Sequence, residues 1–69
     1  MSTLRDLREQ AGLSLSELAR LANIDFKTAK KADSGGSVQR LKALALLSVI
    51  GSRLGREIRI EDVEGLETF

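Results

Sequence analysis

The chain has 69 residues, 42% hydrophobic and 30% charged, with a formal net charge of +1 and neither cysteine nor histidine. That length allows a single domain over residues 1–69 with a small core, where roughly 25 cal/mol per Å² of apolar burial barely outruns the ordering entropy. The missing cysteines exclude disulfides and thiolate metal sites, and the missing histidines remove the commonest general base and metal ligand, so no cofactor is expected and an enzyme is disfavoured.

Residues 3–11 place Leu4, Leu7 and Ala11 at helical spacing among charged residues, which predicts a first amphipathic helix. Thr3 followed by Asp6 is a variant of the capping box, and Gly12 can take the left-handed conformation that ends a helix. Ser14 and Glu17 form S-x-x-E, with Leu13 and Leu18 placed as a hydrophobic staple around that cap. Leu15, Leu18, Ala19 and Ala22 then make one apolar stripe, widened by Leu21, and the small Ala19 lets another helix come close. Asn23 tolerates positive φ and marks a sharp turn, Ile24 anchors that turn in the core, and Asp25 caps a third helix.

At about 100° per residue, turning Ala29 and Ala32 inward sends Lys27, Lys30, Lys31 and Ser34 to the opposite side and Phe26 to the flank. Lysines four apart repel, so the helix gains nothing from this row unless an anion screens it. The charge distribution points the same way. Residues 25–42 hold five Lys/Arg against two Asp, whereas residues 43–69 hold three Arg against five Asp/Glu. A basic middle suits a polyanion-facing surface, and ammonium groups on a protruding helix can neutralise phosphates; a merely solvated face is the other reading.

Ser34, Gly35, Gly36 and Ser37 break the composition and predict a loop, with Ser37 as the cap of a fourth helix. From Val38 to Leu54 the pattern is helical and apolar on two adjacent faces, one with Leu41, Leu44 and Ala45 and the other with Ala43, Leu46, Leu47, Ile50 and Leu54. Either this is a central core helix, or it or the C-terminal segment forms a homodimer contact. The apolar run from Leu41 to Ile50 is too short to span a bilayer, and the start of the chain lacks a charged region followed by an apolar core, so a cytoplasmic protein is expected. After Gly55, Ile58 and Ile60 alternate with charges and predict a short extended stretch, with one further helical turn over residues 61–66.

A small residue, a turn residue four positions later and an apolar residue right after it are what two steeply crossing helices require, and Ala19, Asn23 and Ile24 have that spacing. Here the sequence resembles the lambda-repressor-like (Cro/C1, Xre-type) helix-turn-helix family. The segment LRDLREQAGLSLSELARLANI follows the family's amphipathic first helix, its "AGLS" entry and its "ELA" at Glu17, Leu18 and Ala19. The resemblance implies an all-α bundle of four to five helices in which residues 15–22 support a recognition helix, about 26–33, in the major groove.

Carried over by position, the resemblance puts Phe26, Lys27 and Lys31 where the family reads bases, with Thr28 nearby, and Lys30 and Ser34 near the backbone. It puts Ser16 at one phosphate-holding helix start and Ser37, Gln39 and Arg40 at another. Four departures stand out: Leu15 replaces a phosphate-touching glutamine, Asn23 replaces the common turn glycine, the fourth helix is longer than usual, and Ala29 and Ala32 replace larger inner-face residues. Phe26 therefore has two open readings, filling core beside the undersized alanines or touching thymine methyls.

The function implied is a sequence-specific regulator of transcription, a repressor or Cro-like protein, which binds double-stranded DNA as a dimer on half-sites about one helical turn apart. The competing expectation is a protein-interaction module of the same fold that does not bind DNA and uses the apolar fourth helix and acidic tail. An enzyme comes third, since no nucleophile–base–orienter set can be justified from the residues.

Overall fold

Local capping sets where the helices begin. In the computed structural model, which describes residues 2–69, four α-helices form: α1 Leu4–Gln10, α2 Leu15–Leu21, α3 Phe26–Asp33 and α4 Arg40–Leu54. Thr3 caps α1 and Ser14 caps α2 through reciprocal boxes with Asp6 and Glu17, and Asp25 caps α3 by accepting from the Thr28 N–H at 3.0 Å. Helix α4 starts two residues later than expected, at Arg40, and its N-cap is Gln39, which makes no side-chain capping bond.

The helices also stop alike. An N–H beyond each end returns to a carbonyl five residues back: Leu13 to Arg8 at 3.2 Å, Ile24 to Ala19 at 2.9 Å, Gly36 to Lys31 at 2.8 Å and Arg56 to Gly51 at 3.0 Å. This closure needs a left-handed residue just before the donor. Asn23 supplies it between α2 and α3, with φ of 57°, as the only non-glycine with positive φ among the described residues.

The expectation of a purely helical fold is corrected by two small parallel sheets, which make the architecture mixed. Strand β1 (Ser2–Thr3) pairs with β3 (Val63–Glu64), and β2 (Ser37–Val38) pairs with β4 (Glu67–Thr68). Ser37, expected to cap α4, lies in β2 instead. The expected helical turn at 61–66 is a 3₁₀ turn at Ile60–Asp62 that leads into β3 and β4. Backbone groups of distant residues build these pairs, so alternation of side chains plays no part in them.

Leu4 and Leu7 of α1, Leu18 and Ala19 of α2, Ala29 and Ala32 of α3, and Ala43, Leu46, Leu47 and Ile50 of α4 meet in one buried cluster, joined by Leu13, Val38, Ile58 and Val63. Leu21 does not widen the buried stripe of α2; it is exposed. Of the two apolar faces of α4 one is covered and the other is not: Leu41 is 80% exposed and Leu44 41%. No described helix is long and apolar enough to cross a membrane.

Candidate nucleic-acid interface

The lysine helix is held from behind by small residues and by one charged group. Ala29 and Ala32 are buried, as is Ala19 on α2, so α2 and α3 each turn small side chains toward the core. Asp33, one step further along the same stripe, has a side chain only 4% exposed. Its carboxylate accepts from Arg8 Nε at 2.9 Å and Nη2 at 3.4 Å, and from Arg5 Nε at 3.1 Å. Arg8 also donates Nη1 to the Leu13 carbonyl at 3.0 Å, which ties the α1–α2 connection into the same cluster.

Burial pushes the Asp33 carboxyl up, but the hydrogen bonds and charges of Arg8 and Arg5 outweigh it and hold the group below the ordinary carboxylate range. The thin inner face left by the two alanines is thus reinforced by an ion cluster between α1 and α3.

On the outer side, Lys27, Lys30 and Lys31 are exposed, and Phe26 is 49% exposed at the helix start. Thr28 is half-buried and donates its hydroxyl to Asp25 at 2.7 Å. That bond, together with the Thr28 N–H, holds the Asp25 carboxylate below its ordinary range. Lys42 of α4 lies 3.9 Å from Asp25, so α4 reaches the first turn of α3.

The residues expected near phosphates divide into two kinds. Ser16 is exposed in the first turn of α2, beside the Glu17 carboxylate held there by the Ser14 N–H, and Ser34 donates its hydroxyl to the Lys30 carbonyl at 2.9 Å to close α3. At the start of α4 one backbone donor and one hydroxyl are engaged within the chain: Ser37 Oγ donates to Glu67 at 3.2 Å and the Arg40 N–H donates to the Phe69 carbonyl at 3.1 Å. Gln39 and Arg40 are exposed there and bring side chains to the surface instead.

Thr28, Lys31, Ser37, Gln39, Lys42 and Phe69 line one shallow groove between α3, α4 and the C-terminal strand. Gly36 leaves room for the Lys31 side chain packed against it: a Cβ there would stand 2.6 Å from Lys31 Cγ and 3.2 Å from the Lys31 carbonyl oxygen. Sequence reasoning missed Asp33, Gly36 and Phe69. For Asp33 a signal existed, because it shares the angular position of Ala29 and Ala32, and an acid on a buried stripe requires cations of the kind α1 offers. Nothing local marks the other two.

Comparison with known proteins gives no match to a family model, to a curated protein or to a solved structure.

Proposed function

We propose that the chain is a sequence-specific regulator of transcription that binds double-stranded DNA and resembles the lambda-repressor-like helix-turn-helix proteins, with α3 entering the major groove. The observation that carries this reading is the exposed row Lys27, Lys30 and Lys31 on a helix whose opposite side is fixed by Ala29, Ala32 and Asp33. A fixed helix costs little to present to a groove that admits one, and lysine can donate to guanine O6 and N7. The whole chain's net charge of +1 makes binding by one copy weak, so a dimer on two half-sites, acting in the cytoplasm as a repressor or Cro-like protein, is the form proposed.

Selection of bound sequences from random duplex DNA tests this reading, with a palindromic consensus as the expected result. Affinity for the selected duplex should fall steeply with salt and weaken when Lys27 or Lys31 becomes alanine; failure to retain any duplex at low salt would refute it. A second reading, docking to a protein partner, is favoured by the uncovered Leu41 and Leu44 on α4. It predicts that no duplex is retained and that Leu41→Glu abolishes partner binding while the monomer stays folded.

A further inference from the structure

The chain holds two aromatic residues, both phenylalanines, and neither is in the core: Phe26 is 49% exposed and Phe69 is 74% exposed. A small domain short of core volume gains most from burying such rings, so two exposed ones call for an explanation. Phe26 starts the lysine helix. Phe69 is brought to the same region by strand β4, and its backbone is fixed at both ends: its N–H donates to the Val38 carbonyl at 3.1 Å and its carbonyl accepts from the Arg40 N–H at 3.1 Å. These bonds hold the ring at the groove it shares with Lys31, Lys42 and Gln39.

We propose that strand β4 is part of the DNA-binding surface and that Phe69 makes an apolar contact with a thymine methyl at the edge of the groove read by Lys31. The occupant follows from charge: the groove that Phe69 lines is also lined by Lys31 and Lys42 and by the polar Thr28, Ser37 and Gln39, with no acid among its described lining residues, and such a rim suits a polyanion better than an apolar protein face. Thymine is the base that offers a methyl group in the major groove, and phenylalanine is among the residues that pack on it. Glu67 of the same strand takes the Ser37 hydroxyl and Phe69 just after it takes the Arg40 N–H, so at this corner two donors expected at phosphates are used to seat the ring.

This inference rests on the duplex-DNA reading, and the test separates the two. The duplex recovered by selection is remade with each thymine in turn replaced by deoxyuridine, which removes only the methyl, and is titrated with wild type, Phe26→Ala and Phe69→Ala. Phe69→Ala should bind roughly fivefold to tenfold more weakly. One uracil substitution should weaken wild type and Phe26→Ala yet leave Phe69→Ala unchanged. The slope of affinity against salt should stay at the wild-type value, because no charge is removed, whereas Lys30→Ala, at a residue expected near the backbone, should lower it by about 1. The ring is exposed and the strand's bonds are made by the backbone, so the thermal midpoint should not move. Unchanged affinity in Phe69→Ala, or retention of every uracil penalty, would overturn the inference while leaving the DNA reading standing. A shift in self-association without DNA would overturn it too, in favour of a second copy on the ring. If wild type binds no duplex, both readings fall.

Discussion

Arg8 Nε and the Asp33 carboxylate lie 2.9 Å apart, so that one hydrogen-bonded ion pair joins the first helix to the end of the lysine helix. Removing the acid leaves a guanidinium that is only 15% exposed without its partner, whereas Arg5 is 55% exposed and can turn to water. Asp33→Ala should therefore cost about 2 to 4 kcal/mol, with Arg8→Ala costing more than Arg5→Ala. Urea unfolding of the three variants checks both the magnitude and the order.

The same pair sets an acid response. The Asp33 carboxyl is depressed in the folded chain, so its stabilising effect is fully present above the ordinary carboxylate value of 3.8 and is lost as pH falls through the folded-state value. Glu17, held low by the Ser14 N–H and hydroxyl, and Asp25, held low by Thr28, act in the same direction. Urea midpoints measured from pH 7 down to pH 2 should fall at the acid end. In Asp33→Asn that fall should be smaller but still present.

Asn23 closes α2 with φ of 57°, a conformation that strains a β-branched side chain and not glycine. Asn23→Val should lose about 1 to 2 kcal/mol and Asn23→Gly should be close to neutral. Thermal midpoints of both variants against the wild type check this. A loss in Asn23→Gly as large as in Asn23→Val would show that the asparagine side chain, and not the backbone angle, holds the turn.

Gly36 leaves room for the Lys31 side chain. A methyl there drives Lys31 into another rotamer, so Gly36→Ala should weaken duplex binding in the direction of Lys31→Ala and relax the preference at the base that Lys31 reads. Its cost in stability should be about 1 kcal/mol. Binding and unfolding measured on the same preparation separate the two effects.

How much of this could be read in advance depended on distance along the chain. The caps at Thr3, Ser14 and Asp25, the turn at Asn23 and the end at Gly12 involve residues a few positions apart, and periodicity with turn chemistry finds each of them. The exposed lysines and the buried Ala29 and Ala32 follow from one helix's angular count. The strands did not announce themselves, because two residues carry no alternation and Ser37 is as good a cap as it is a strand residue. The end of α3 and strand β2 likewise meet distant segments: Asp33 reaches back 25 residues to Arg8, and Ser37 forward 30 to Glu67. Of the proposed interface, the lysine row was therefore legible and its rim of Gly36 and Phe69 was not.

The parallel pairs have a kinetic meaning. Ser2 is matched to Val63 and Ser37 to Glu67, so a segment of seven residues, 63–69, buckles the front of α1 and the front of α4 at once. Contacts between neighbouring helices close short loops, whereas the buckle must wait until nearly the whole chain has been drawn in. It should fasten last and open first. Amide exchange at Arg40 and Phe69 should then occur in a single step, ahead of exchange in the interior of α4, and during each such opening the groove would lack its aromatic edge.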